Sequence, residues 1–276
     1  MIEIRWRIAR FFVFGALFAL ATSLLLSQTD PDPTSLLCAA IEKGRSGESQ
    51  KTRFTYQLLV HNQDFNLKGK LLHEGTSLYE IIYIADLEYM HLLEIDGKAL
   101  SGKALADEQK RYDDAVRERT ALNANARAKF MHGKSRNVNI NYPDIVTKYH
   151  NTVVDHTQLN GRDCLLIDST PLDTVADAPR RHLRIWLDPQ KSELLRLDLD
   201  LLADEGDILR GSKGSIIYTH IDGVQLDSFH HLEYIVLSKD NKKHIIRGVS
   251  DQTFSNYKKF VTSVRILPQT EGETPQ

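Results

Sequence analysis

Signatures of metal and nucleophile chemistry are missing from this chain. None of H-x-H, H-E-x-x-H or C-x-x-C occurs among its eleven histidines and two cysteines, so no ligand-like spacing points to a metal. The nearest approach to a nucleophile elbow, Gly44 to Glu48, lacks the second glycine and has no strand feeding it. Gly206 to Lys213 reads G-x-x-x-x-G-S-K, which inverts the lysine and hydroxyl of a phosphate loop and stands between extended segments. Asp113-Asp114, and Asp198 with Asp200, belong to polar faces, where solvated charge is the ordinary state. Two cysteines, Cys38 and Cys164, are too few for a disulfide scaffold and allow at most one bridge. A formal charge of -2 without a basic stripe gives no reason to expect nucleic acid as a partner. Internal repeats and low-complexity segments are absent. The expectation is therefore a protein that is not an enzyme and uses no cofactor or metal.

What is present is β structure. Apolar content of 41% and charged content of 26% over 276 residues are those of an ordinary globular protein. Five extended segments follow one another at Leu183 to Leu187, Glu193 to Leu201, Asp207 to Thr219, Gln225 to Leu237 and Lys243 to Val249. In the second, Leu195, Leu197, Leu199 and Leu201 fall on one side and Arg196, Asp198 and Asp200 on the other, a period of two. Asp188-Pro189, Gly211 with Gly214, Asp222-Gly223 and Asp240-Asn241 are turn formers between them, which makes the stretch an antiparallel meander. Upstream, Phe54 to Val60, Leu67 to His73, Leu78 to Ala85 and Met90 to Ile95 form a second set, with turns expected at Asn62 to Asn66, Glu74-Gly75-Thr76 and Asp96-Gly97. A hairpin turns at Asn160-Gly161 between Tyr149 to His156 and Cys164 to Ser169, and Val261 to Leu267 reads as a last strand. So many strands make a sheet large enough to curl under its own twist.

The chain opens with Arg5, Arg7 and Arg10 before an apolar run from Phe11 to Leu26, the layout of an export signal and short for a span of ~20 residues. Cleavage and retention as an anchor both remain open. The domain reading is residues 1 to 28 as signal or anchor, 29 to 50 as linker and short helix, 51 to 267 as one β-rich domain with a helical insertion at 101 to 131, and 268 to 276 as a polar tail. The short helix would run from Pro33 to about Lys43, stopped by Gly44, Ser46, Gly47 and Ser49. Ala104 to Lys129, without glycine or proline, predicts a long helix whose thin apolar stripe lies on the sheet, either able to swing or fixed with its other face to solvent.

Several short motifs, taken in order, resemble a known family. Asp96-Gly97-Lys98-Ala99-Leu100, then Asn160-Gly161-Arg162 leading to Cys164-Leu165-Leu166-Ile167, Leu183 to Asp188, and Phe254 to Phe260 resemble outer-membrane lipoprotein-sorting proteins. These are the LolA/LolB-like superfamily of periplasmic carriers, to which the regulator RseB is related. The resemblance spans roughly residues 50 to 265. It departs at Glu74 to Tyr79, where the carriers have an Arg-Pro, and in the long helix. The resemblance implies an α+β fold: a large curved antiparallel sheet forming an unclosed β-barrel, with helices covering a concave face that holds acyl chains.

The expected function is an exported, periplasmic carrier or binder of a lipid or lipoprotein acyl chain, with possible contacts to inner- or outer-membrane proteins. The alternative is a membrane-tethered envelope sensor or assembly factor acting through protein contacts. The candidate lining residues, from the apolar sides of alternating strands, are Phe54, Tyr56, Leu58, Leu71, Ile185, Leu195, Leu197 and Leu199. For each of them plain core is the competing assignment.

Overall fold

A computed structural model describes residues 32–123, 125–127, 140–175, 177, 179–237 and 245–260. The apolar run at 11–26, the segment 261–267 and the tail lie outside the described residues. The fold is α+β: eleven antiparallel strands in one sheet of order β4-β3-β2-β1-β11-β10-β9-β8-β7-β6-β5. It is two meanders, β1 (Phe54–Phe65), β2 (Leu71–Ile84), β3 (Leu87–Ile95), β4 (Lys98–Ala99) and then β5 (Tyr149–Leu159) to β11 (Ile245–Lys259), fused where the first strand meets the last. Among the described residues β4 and β5 have one neighbour each, so the sheet does not close.

Turns that sequence reading placed by positive-φ residues are where expected: Asp96-Gly97, Asn160-Gly161 and Asp222-Gly223 all have both central φ angles positive, as the tightest hairpins require. One such turn was missed, at Ala85-Asp86. Glu74-Gly75-Thr76 is not a turn. β2 runs straight through it, because pairing with β1 continues from Tyr56↔Ile81 to Asn62↔Gly75 and beyond, and the ladder overrides a local turn preference. The remaining strands of the second meander are β6 (Arg162–Pro171), β7 (Arg181–Asp188), β8 (Glu193–Leu201), β9 (Lys213–Ile221) and β10 (Val224–Leu237). β9 starts at Lys213 rather than Asp207, and β11 runs on past Val249, where the expected segment ended, to Lys259.

Helix α1 (Pro33–Lys51) begins at Asp32, whose carboxylate accepts from the Thr34 and Ser35 amides at 3.3 and 3.0 Å. It does not stop at Gly44. Gly44 and Gly47 face β10, where an added Cβ would stand in ordinary contact with Gln225 and Val224 respectively. That packing offsets a propensity cost of about 1 kcal/mol per glycine. α1 buries Leu37, Ala40 and Ile41 against Ile167, Leu183, Ile185, Leu187, Leu197 and Leu199 of the inner face, joined by Ile145 from the short helix α3 (Tyr142–Thr147).

Of the two expectations for the long helix α2 (Gly102–Ala121), a swinging cover and a fixed solvent-facing helix, its contacts with the sheet favour the second. Glu108, buried, accepts from the Tyr89 hydroxyl at 3.0 Å, the Leu92 amide at 3.1 Å and Arg111 at 2.6 Å, and Arg119 donates to the Leu87 carbonyl at 3.0 Å. Register also puts α2 on the other side of the sheet. It grips the row of Leu87 and Tyr89, whereas the paired Tyr56↔Ile81 and Tyr83↔Glu88 point to the face that α1 covers.

Gly248 on β11 sits between Tyr234 and Asp64, its neighbours in register on β10 and β1. The Tyr234 ring lies over it, and its hydroxyl donates to Asp64 at 2.6 Å. A Cβ at this position would overlap the ring. Gly248→Ala is expected to break that bond and cost about 1–3 kcal/mol, read as a lowered urea midpoint.

The cysteines are unbridged: Cys38 is exposed and Cys164 buried in β6.

Candidate functional site

Strand β10 carries a bulge between Asp227 and Phe229. Strict alternation would follow Gln225 and Asp227 with Phe229 on the same face; the extra residue substitutes His230. Gln225, Asp227 and His230 consequently face one hollow of ≈ 260 Å³ between α1 and the inner face of β8 to β10. Known ligand pockets span about 300–1,000 Å³, so the space suits one small occupant or a single chain. A smaller recess of ≈ 80 Å³ lies beside α3 and β7, too confined for more than a few waters.

The hollow has a polarity along α1. Toward the helix N-terminus Ala40 and Ile41 face Leu194, Ile216 and Ile140; toward its C-terminus Glu48 and Lys51 stand with Asp227 and His230. Seven residues of helix separate Ile41 from Glu48, about 10 Å. Tyr142 and Tyr218 hydrogen-bond through their hydroxyls on one wall. Burial pushes Tyr142 up to about 12 and Tyr218 well above its ordinary value, so both stay protonated.

Asp227 is enclosed by protein, yet 38% of its side chain remains exposed, as befits a group on the wall of a cavity. Burial pushes its carboxyl up, but His230 and the nearby Lys51 outweigh that and hold it below the usual carboxylate range. His230 Nε2 is 3.5 Å from Asp227, too far for a well-formed hydrogen bond, and is otherwise buried without a partner. His231, next in sequence, points to the opposite face and pairs with Asp251 at 2.6 Å. His220 pairs with neither; it lies 3.7 Å from Glu193.

An ion network fastens α1 over the hollow. Glu193 accepts from Lys43 of α1 at 3.0 Å and from Arg162 at 2.6 Å, and Arg162 also reaches Asp188 at 2.5 Å. Among the described residues no group of three or more His, Cys, Asp or Glu could hold a metal ion, and no helix is long and apolar enough to cross a membrane.

None of the eight lining candidates read from sequence borders this hollow. Ile185 and Leu197 are 0% exposed and, with Leu199, fill the core beneath α1. Leu195 is buried, but a register shift at Trp186 pairs Leu187 with Leu194, and it is Leu194 that reaches both core and hollow. Phe54 belongs to a small cluster with Val224 and Leu226. Tyr56 stacks near Tyr257 and Phe254, centroids 4.8 and 6.0 Å away, and Leu58 is buried one row along the same face. Leu71 is 42% exposed beside the β1–β2 turn. The residues that do meet, Asp227 and His230 above all, gave no sequence signal, because a bulge has no alternation to betray it.

No family model matches the chain, and no curated protein matches it. Among solved structures it is similar to a putative outer membrane lipoprotein-sorting protein domain from Vibrio parahaemolyticus, at 11% identity over 83% of this chain and 94% of that one, TM-score 0.37. It is also similar to a LolA superfamily protein from Nitrosomonas europaea, at 10% identity over 83% and 94%, TM-score 0.30. A third is the MucA/MucB complex structure of Pseudomonas aeruginosa, at 10% identity over 84% and 100%, TM-score 0.26. At this level of similarity the likeness says nothing of what this chain binds.

Proposed function

We propose that the chain is an exported binding protein without catalytic activity, holding one apolar chain of an envelope lipid or lipid-anchored protein under α1. The observation that carries this reading is the hollow itself: a gap of ≈ 260 Å³ left between α1 and β8–β10 beside an otherwise filled core. Its Ile41, Leu194 and Ile216 end would shelter hydrocarbon, each buried methylene contributing roughly 0.8 kcal/mol. The basic and apolar start of the chain supports export, by cleavage or as an anchor at residues 11–26. Residues 51 to 267, with the helical insertion, would form the working domain, to which α1 supplies the cover.

Ile216→Trp tests it by filling the hollow without adding charge. The variant is expected to fold and to lose the small molecule that mass spectrometry finds with gently purified native protein. Native protein that carries no molecule, or a variant that retains it unchanged, would remove the reading.

The second reading, a tethered factor acting through protein contacts, is favoured by the packed state of the β5–β8 half, where Ile167, Leu183, Ile185, Leu187 and Leu197 are buried in the core. It requires the intact mass of protein from its native envelope to include residues 1–28.

A further inference from the structure

We propose that the hollow selects an amphiphile whose polar end is a cationic hydrogen-bond donor, an ammonium head group, with Asp227 as its acceptor. This deepens the reading of the hollow as a ligand site and rests on it.

The argument begins with the charges that face the cavity: Arg45, Glu48, Lys51, Asp227 and His230. Arg45 is paired with Glu42 at 3.4 Å and Lys51 with Glu48 at 2.9 Å, each within α1. Asp227 is paired more loosely, with a histidine of its own strand. Its nearest cationic candidate is His230, whose Nε2 stands 3.5 Å away in a contact too long to satisfy either group fully. Tyr257 donates to the backbone carbonyl of Asp227, leaving the carboxylate oxygens to the cavity. An ionised carboxylate on a partly dry wall is costly unless a donor meets it, and it repels a second anion. Free fatty acids and phosphate head groups are thereby disfavoured. An alkyl chain entering with its head toward Asp227 would place its tail at Ile41, Leu194 and Ile216, about 10 Å along α1. The low carboxyl pKa of Asp227 agrees with this, since it keeps the charge in place across the neutral range.

The experiment uses the full chain and two probes of equal length and opposite head, octylammonium and octanoate, titrated calorimetrically at mildly alkaline pH. Octylammonium is expected to bind about tenfold or more tightly than octanoate, a contrast of the size one charge at close range produces outside bulk water. In Asp227→Asn, nearly the same shape, that ratio should fall toward one, and in Ile216→Trp both probes should be lost. Octanoate binding as well as octylammonium, or a preference unchanged in Asp227→Asn, overturns the head-group assignment while leaving the hollow a ligand site. Neither probe binding the native chain defeats both.

Discussion

Leu197→Asp is expected to yield no folded protein. Alternation along β8 makes Leu197 look like the wall of a lipid trough, where an added charge would spoil binding and spare the fold. The structure places it at 0% exposure among Ile185, Leu199 and Ile41, under α1. A carboxylate there would lose its water without any partner, at several kcal/mol or more against a total stability of about 5–15 kcal/mol. Leu197→Ala, the milder form, should cost about 2–5 kcal/mol by denaturant unfolding. A soluble, cooperatively folding Leu197→Asp product would show that α1 does not seal this face.

Arg162→Met is expected to cost about 3 kcal/mol, because it removes the cation that bridges two nearly buried carboxylates and leaves them only Lys43 and the Gln190 and Lys191 amides. Asp188 and Glu193 have side chains only 8% and 9% exposed. Burial pushes both up, yet the bonds from Arg162, with the Lys191 and Gln190 amides assisting at Asp188 and Lys43 and His220 at Glu193, hold both below the usual carboxylate range. A depressed folded pKa contributes stability that is present above the unfolded value, about 4, and is lost as pH falls through the folded one. The native chain should therefore lose stability in acid from about pH 4 downward. In Arg162→Met only the Lys191 and Gln190 amides still oppose burial at Asp188, its folded pKa rises toward the unfolded one, and acid penalises that group less. Urea unfolding across a pH series reads both effects: a large drop at neutral pH and a flatter acid limb. A variant with the native acid limb would mean that the network stands without Arg162.

Much of the sheet could be read in advance because its causes are local. The Asp-Gly and Asn-Gly pairs demand positive φ wherever they occur, and three of them mark hairpins. Leu197 to Leu201 alternate because a strand turns successive side chains to opposite faces. Ala85-Asp86 escaped notice because neither residue advertises a turn. Gly75 misled because its strand is held by β1, where its partner Asn62 lies 13 positions away, not by its own preference. Gly44 and Gly47 misled likewise, since their contacts with β10 lie far along the chain.

The sequence alone determined that this is an antiparallel β protein with a few covering helices and no metal-ligand spacing, since periodicity, turn chemistry and ligand spacing need only near neighbours. Tertiary structure alone decided that β1 and β11 close the two meanders into one sheet, that α2 grips the face away from the hollow, and that Asp227 and His230 share a cavity which the eight expected residues do not line. Strand register, one inserted residue in β10 and the seating of α1 arise from contacts between distant segments. Which leucine becomes core and which wall borders space depends on what packs against it.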